Sequence, residues 1–446
     1  DPANPTPGPW SVFIRRVGTF ILVSLSAILG TFPLVLYYFN ESSLIGLLSN
    51  LIFVPVMGFG VVPLGLASVV LCPVSPVAAA LGFKTCGIVL AGALYLVRWA
   101  ASLPFAAVAT VTPSMIEILL YYCLLAGIFL MLRQGKRPAS ERGLTRARRF
   151  ALLLTVSAAA CLVLDGFYWG YQRFWTDKLK TTIVDVGHGN ASLVEIPGGE
   201  VILIDGGGFS DNSVYDVGRR IVAPLLWRKK IRTVETLILS HPNSDHLNGL
   251  IHVAEHFHVE RFLSNGQAAD TRGYEKLMAV LREKGVQMPD YEHLDRRWAM
   301  EGITIDLLYP APGFIDQRPH EPWRDENNNS LVVKVSFKGV SFLFPGDIES
   351  AGESELVKTV GGRLQSRVLV APHHGGSSSS TRTFLEAVNP EITVVSSGSD
   401  DRYGVPHAEV RERYERLGVQ IFSTPRHGAV TFVTDGAELW VETTVE

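Results

Sequence analysis

Charged side chains are almost absent from the first third of this chain. Only four lie between positions 17 and 132, namely Glu41, Lys84, Arg98 and Glu117. About a quarter of the residues in a typical soluble domain are charged, so this scarcity excludes an ordinary water-soluble domain over that region. From residue 177 onward the charges are as dense as in a soluble domain. The composition therefore predicts a membrane domain, residues 1–176, followed by a soluble domain, residues 177–446.

Cysteine is absent from the predicted soluble domain. The four cysteines all lie in the apolar part of the chain, and their spacing does not match a metal site. The soluble domain therefore has neither a disulfide framework nor a thiolate metal site. A Walker loop is also excluded, because the glycine run after Asp205 is not followed by Gly-Lys-Ser/Thr.

Five apolar stretches approach the length of about 20 residues that a helix needs to cross a bilayer. They cover approximately residues 13–38, 48–71, 77–103, 115–132 and 150–171. The second and third stretches are interrupted. These interruptions fit either ordinary packing kinks or broken helices that line a cavity. The interrupting residues are Pro55, Gly58, Gly60, Pro63, Lys84 and Gly87. The pattern predicts an α-helical transmembrane bundle of about five spans.

Basic residues beside the spans predict their orientation. Arg15 and Arg16 precede the first span, and seven more basic residues lie between positions 133 and 149, before the fifth. Positively charged loops remain in the cytoplasm, which places the soluble domain on the extracytoplasmic side. The second basic loop could also contact nucleic acid or anionic lipid. Because residue 1 is Asp rather than Met, we expect the chain to be part of a longer protein.

Polar residues follow six of the predicted strands in the soluble domain. The apolar run 234–239 leads into His241-Pro-Asn-Ser-Asp245-His246. Folds of the α/β type place their chemistry at the carboxyl ends of strands, and imidazole and carboxylate are the usual ligands of zinc and similar metals. Alone, this turn could equally be a helix cap. Other strand ends carry Asp185, Asp205, Asp347, His373-His374 and His407.

The order of these motifs along the chain resembles the metallo-β-lactamase superfamily. His-x-x-x-Asp-His comes first, then Gly-Asp347, then His373-His374-Gly. Two further motifs, Asp185-Val186-Gly187 and Gly-x-Pro-His407, and the apolar sequences around residues 39–66 narrow the resemblance to the ComEC/Rec2 family. That family forms the inner-membrane DNA-uptake channel of natural competence. The resemblance implies a multi-domain protein, a transmembrane bundle followed by an α/β four-layer αββα sandwich.

The resemblance also implies a set of metal ligands. It assigns His241, Asp245, His246 and Asp347 to the metal, together with His373 or His374, between which the sequence cannot choose. One superfamily histidine is replaced by Asn243, and another falls within the asparagines at 327–329. We therefore expect one well-held divalent ion rather than two, and the oxygen-rich ligands suit manganese at least as well as zinc.

The implied chemistry is metal-assisted hydrolysis of DNA phosphodiesters, on the strand that is not transported. Asp245 would also serve as general base and His407 as proton donor, with His188, Asn329 and Ser330 near the substrate. Expected partners are a translocated DNA single strand, the inner membrane, other competence proteins and a second copy of the chain. The alternatives are a non-catalytic DNA-binding channel component and a membrane-anchored metallohydrolase of another substrate.

Other residues have ordinary interpretations. Histidines outside these motifs, including His252 and His256, are expected to be solvated or capping residues. The basic run at 228–232 is expected to be a solvated face, or a phosphate contact if DNA is the substrate.

Overall fold

A computed structural model describes residues 8–43, 45–103, 106–134, 146–317, 320–398 and 404–445. The chain divides into two compact units, residues 1–162 and 163–446. The division falls within one long helix, Arg146–Phe174, which carries the fifth predicted span into the second unit. Most of the second basic loop, residues 135–145, lies outside the described residues.

The first unit is helical. A π-helical segment, Val56–Val61, joins its second and third helices, and a short antiparallel pair of strands, β1 (Glu41–Ser43) and β2 (Ala107–Ala109), lies between helices. The helices are α1 (Pro9–Phe39), α2 (Gly46–Pro55), α3 (Val62–Leu71), α4 (Pro76–Ala101), α5 (Met115–Gln134) and α6 (Arg146–Phe174). The hydroxyl of Tyr121 on α5 donates to the carbonyl of Leu29 on α1, 2.9 Å away.

Five helical segments of the described residues are long and apolar enough to cross a membrane, which confirms the predicted number. The second runs through α2, the π-helical segment and α3, where prolines and glycines cluster. Proline lacks a backbone N–H and crowds the preceding turn, and here the helix widens at that point rather than ending. In the third stretch the structure excludes the broken-helix alternative: α4 is continuous, because glycine and lysine cost a helix about 1 kcal/mol or less.

Two seven-stranded sheets form the centre of the second unit. The first has the order β16-β15-β3-β4-β5-β6-β7, and the second β14-β13-β12-β11-β10-β9-β8. The strands are β3 (Leu179–Ile183), β4 (Ser192–Glu195), β5 (Val201–Ile204), β6 (Thr233–Leu239), β7 (His258–Ser264), β8 (Arg297–Met300), β9 (Ile303–Tyr309), β10 (Val332–Phe337), β11 (Val340–Phe344), β12 (Val368–Val370), β13 (Ile392–Val395), β14 (Gln420–Ser423), β15 (Val430–Thr434) and β16 (Leu439–Thr443).

Helices flank these sheets. They are α7 (Ala223–Arg228), α8 (Ser244–His256), α9 (Arg272–Glu283), α10 (Phe314–Gln317), α11 (Ser350–Val360), α12 (Arg382–Val388), α13 (Ala408–Arg416) and α14 (Thr424–His427). One apolar cluster joins the sheets, with Ile204 and Ile238 from the first packed with Val335 and Phe342 from the second. Another joins the second sheet to its helices. Strands covered on both faces, such as β5, are buried along their whole length. The predicted α/β sandwich is confirmed.

The parallel strands bring their carboxyl ends to one edge of each sheet. In the first sheet β5, β6 and β7 are parallel, and in the second β11, β12, β13 and β14 are parallel. The loops after β5, β6, β11 and β12 contain the polar motifs that the sequence singled out, which is why residues far apart in the chain can meet there.

Candidate metal centre

The turn after β6 is fixed by its contact with the glycine loop after β5. The N–H of Gly206 donates to the carbonyl of His246 (2.7 Å), and the N–H of Gly249 donates to the carbonyl of Gly207 (2.8 Å). A Cβ at Gly249 would lie 1.9 Å from the carbonyl oxygen of Gly206. Glycine is therefore required for α8 to approach the loop this closely, and this approach sets the position of the first turn of α8.

Four side chains from three loops converge beside that turn. Asp245, His246, Asp347 and His374 each offer one ligand atom within 4.8 Å of the others. Nε2 of His246 lies 3.1 Å from Oδ1 of Asp347. Nε2 of His374 lies 3.3 Å from Oδ2 of Asp347 and 3.5 Å from Oδ2 of Asp245. Two imidazoles and two carboxylates form a ligand set for a divalent metal ion.

Unpartnered polar atoms show that this group fits a metal ion. Among the described residues, Nε2 of His246, Nε2 of His374 and Oδ1 of Asp347 are buried and make no hydrogen bond of normal geometry, although an atom of opposite charge lies within 3.5 Å of each. Burying polar atoms without a partner is unfavourable. A cation bound between them would satisfy all three, because each points a lone pair or a titratable nitrogen into the same space.

Acceptors on the far side of both imidazoles hold their orientation. Asp205 lies 2.8 Å from Nδ1 of His246 and also accepts bonds from the N–H and hydroxyl of Ser240. Nδ1 of His374 donates to the carbonyl of Ser396 (3.0 Å). With Nδ1 carrying the proton, Nε2 is left to face a metal, as in most metal-binding histidines. Asp205 was expected at a strand end but without a role; its position after β5 was the available signal.

The pKa values in this group reflect its negative charge. Burial by itself would lower the pKa of His374, but Asp347 and Asp245 raise it to about 10. Burial opposes a charged His246 too, yet Asp347, Asp205 and Asp245 raise its pKa well above the usual value. For Asp347, burial would raise the pKa, and the two histidines instead hold it well below the normal range. The local charge therefore favours a cation at these side chains.

His241 lies next to this group without joining it. Its Nε2 is buried 4.0 Å from Oδ2 of Asp347 and has no hydrogen-bond partner among the described residues. Its Nδ1 lies 3.0 Å from the hydroxyl of Ser240 and 3.3 Å from that of Ser330. Burial, together with the positive charge on His246, lowers the pKa of His241 to about 4. A role for His241 as a ligand stays a prediction.

The two neighbouring histidines point to different partners. His374 belongs to the four-residue group, whereas Nδ1 of His373 lies 3.1 Å from Oε1 of Glu349 and 3.2 Å from the hydroxyl of Ser378. Both residues have positive φ, 49° and 56°, a backbone conformation that L-residues rarely adopt. This turn decides which imidazole reaches the metal ligands.

Asparagines occupy the side of the site where the superfamily's other histidines would lie. The side-chain amide of Asn243 donates to Asn327 (2.9 Å), and that of Asn327 lies 3.4 Å from Glu349. These contacts form a hydrogen-bonded chain, so the side-chain amides of Asn243 and Asn327 have hydrogen-bond partners.

The group opens into a pocket of about 670 Å³. Asp245, His373 and His374 line it, and His188 and His407 line it as well. Phe209 is also in its wall, edge-to-face with His188 at a centroid distance of 6.1 Å. The structure thus brings the predicted His188 and His407 to the same pocket as the ligand group.

The structure places Asn329 and Ser330 behind the site rather than in the pocket. Both are completely buried. The Asn329 amide donates to the carbonyl of Arg324, and the Ser330 hydroxyl accepts the N–H of Asp347 (3.0 Å). The expectation that these two residues contact substrate is corrected accordingly: they hold the turns that carry the ligands, because their burial leaves no surface for a substrate.

Comparison with known proteins finds two family models along the chain. Residues 3–135 match the Competence protein model, and residues 184–399 match the Metallo-beta-lactamase superfamily model.

Three curated relatives are similar over long stretches. ComE operon protein 3 of Bacillus subtilis is 26% identical over 93% of this chain and 52% of its own length. Competence protein ComA of Neisseria gonorrhoeae is 29% identical over 61% of this chain and 35% of its own length. Recombination protein 2 of Haemophilus influenzae is 24% identical over 97% of this chain and 52% of its own length. The chain thus spans about half or less of the length of these relatives.

The two models follow each other in the same order as the helical unit and the two-sheet unit, and the relatives extend across both. On this combination, the chain is similar along both units to competence proteins of the ComEC/Rec2 family, and its second unit matches the metallo-β-lactamase superfamily.

Proposed function

We propose that the chain is part of an inner-membrane DNA-uptake protein and that its second unit hydrolyses DNA phosphodiesters with a divalent metal ion. The observation that supports this is the convergence of Asp245, His246, Asp347 and His374 beside an open pocket, which Asp245 and His374 line. A membrane-capable first unit of the competence family makes DNA the expected substrate.

The four converging side chains would hold the ion. Bound there, a divalent ion supplies a Lewis acid that polarises a phosphoryl oxygen and acidifies water. The donor set contains as many carboxylates as imidazoles, which suits manganese at least as well as zinc.

The chain's own residues would position and protonate the substrate. Asp245 has a partly exposed carboxylate (34%) that faces the pocket and can accept a proton from the attacking water. His407 lines the same pocket and can donate a proton to the leaving oxygen. The hydroxyls of Ser377 and Ser378 and the ring of His188 also line the pocket and can donate hydrogen bonds to phosphate oxygens.

A second function is favoured by one feature, the asparagines at positions 243 and 327. They replace ligands and are hydrogen-bonded to each other, so fewer ligands remain than in a two-metal site. The alternative is a channel component that binds DNA at this pocket without cleaving it.

A cleavage assay separates the two functions. The full chain in detergent micelles is incubated with end-labelled linear DNA and Mn²⁺ or Zn²⁺. Hydrolysis that requires metal and is lost in Asp245→Asn and Asp347→Asn supports the nuclease. The matched control is Asp435→Asn, in the β15–β16 turn, where an asparagine can accept the same backbone N–H bonds. DNA binding without cleavage under either metal would support the channel component instead.

Labelling each strand of the DNA in turn addresses strand choice. We expect degradation of only one strand, the one that is not transported. Equal loss of both strands would contradict this part of the proposal while leaving the nuclease activity standing.

A further inference from the structure

The far end of α8 carries a second cluster of metal-binding side chains. His252, Glu255 and His256 are spaced i, i+3 and i+4, which places them on one face of the helix. One potential ligand atom from each lies within 4.8 Å of the others. The two imidazole rings are stacked, with centroids 4.0 Å apart. This cluster lies outside the pocket described above and shares no residue with the four-residue group.

In both rings Nδ1 faces an oxygen atom, which leaves Nε2 for a ligand. Nδ1 of His256 donates to the carbonyl of His252, 3.0 Å away. Nδ1 of His252 faces a carboxylate, Oδ2 of Asp216, at 3.9 Å. Metal-binding histidines commonly have a carbonyl or carboxylate on one ring nitrogen and the metal on the other.

The burial of the His252 ring is an independent indication of a bound ligand. The residue is only 6% exposed, contrary to the solvated or capping role expected for it. Its Nε2 is buried without a hydrogen-bond partner among the described residues. A buried ring nitrogen of this kind is unfavourable unless something binds it.

The surrounding charge favours a cation. The carboxylates of Asp216 and Glu255 lie beside the rings, and the carbonyl end of α8 adds partial negative charge. Nζ of Lys276 lies 2.8 Å from Oε1 of Glu255 and would compete with a metal ion for this carboxylate. Its side chain is 58% exposed, however, so it can move aside at little cost.

We propose that His252, Glu255 and His256 bind a divalent transition-metal ion of the zinc class. Two imidazoles and a carboxylate suit zinc. Asp216, in the segment before α7, lies on the Nδ1 side of His252 and would orient that ring toward the ion. This site is independent of the proposed nuclease function.

Titration of zinc into the full chain in detergent micelles, monitored by calorimetry, tests the site. The wild type is expected to bind two equivalents and His256→Gln one. His256 is exposed, so its substitution is tolerated more readily than that of buried His252. The matched control is His293→Gln, whose side chain is 86% exposed and which should keep both equivalents.

A second variant isolates the new site. In His374→Ala, which removes a member of the first group, one equivalent should remain and should disappear when His256→Gln is added. Lys276→Gln should tighten that equivalent several-fold, because it removes the competing cation. Zinc stoichiometry that is the same in the wild type and in His256→Gln would overturn the proposal, whatever the outcome of the cleavage assay.

Discussion

His246 illustrates how single contacts define the metal centre. Its Nδ1 is held by Asp205, and its Nε2 points toward Asp347. Asp205 in turn is held by two bonds from Ser240. A buried carboxylate in this position fixes both the tautomer and the direction of the ring.

Asp205→Asn should weaken metal binding without unfolding the domain. Asparagine tolerates the positive φ of 59° at this position and retains one acceptor oxygen. It cannot supply the charge that orients His246, so we expect a loss of about 10- to 100-fold in metal affinity. Metal titration of the full chain measures this, with Asp435→Asn as the control. Unchanged affinity would show that Asp205 does not orient the ligand.

The pair His373 and His374 offers an internal control one residue apart. His374→Ala removes a member of the ligand group and should lower metal affinity by more than the roughly 100-fold upper limit for an outer partner. His373→Ala removes the contacts of that ring with Glu349 and Ser378, and should change affinity by a few-fold at most. The reverse ranking in a metal titration would assign the ligand to His373.

Helix α8 is the element that joins the two proposed metal sites. Its first turn supplies Asp245 and His246, and its last turn carries His252 and His256. Both depend on how closely the helix packs on the glycine loop after β5. That approach is possible only because Gly249 has no side chain.

Gly249→Ala should therefore destabilise the second unit. The added methyl would meet the carbonyl of Gly206, and neither backbone can move without breaking the bonds that hold the loop. We expect a loss of about 2–4 kcal/mol in the free energy of unfolding and a lower metal affinity. Thermal unfolding monitored by circular dichroism measures the loss of stability. Gly362→Ala is the control, because a Cβ there has no neighbour within 4 Å; equal melting temperatures for both variants would refute the packing argument.

For the whole molecule, the orientation in the membrane decides where the metallo-β-lactamase domain works. The basic residues between positions 133 and 149 directly precede α6, the last membrane-capable helix. If that loop is cytoplasmic, as positive charge favours, α6 leads the chain to the extracytoplasmic side. There the domain would meet incoming DNA before it crosses the membrane.

Reporter fusions at the C-terminus test this orientation. Alkaline phosphatase, which folds only outside the cytoplasm, should be active when fused there, and a fluorescent protein that needs the cytoplasm should be dark. A fusion within the loop at 135–145 should give the opposite result. An active cytoplasmic reporter at the C-terminus would contradict the predicted orientation.

Much of this protein is determined by local sequence. The five spans follow from apolar length alone, whereas the two-sheet fold was expected from the resemblance of the strand-end motifs to a known superfamily. Between the two alternatives left open for the third stretch, the structure excludes a broken helix, because glycine and lysine weaken a helix only slightly. The pocket position of His407 followed from a resemblance between motifs rather than from any local pattern.

Tertiary structure decided the rest. Whether His373 or His374 joins the ligand group depends on two residues with positive φ, and nothing in the pair of identical letters encodes that choice. Asn329 and Ser330 were expected at the substrate and lie buried behind the ligands. Asp205, Asp216 and His252 gain their proposed roles only through partners distant in the chain or through burial. Motif residues can be recognised in the local sequence. The direction of a side chain, however, depends on backbone conformation and packing that only the folded chain sets.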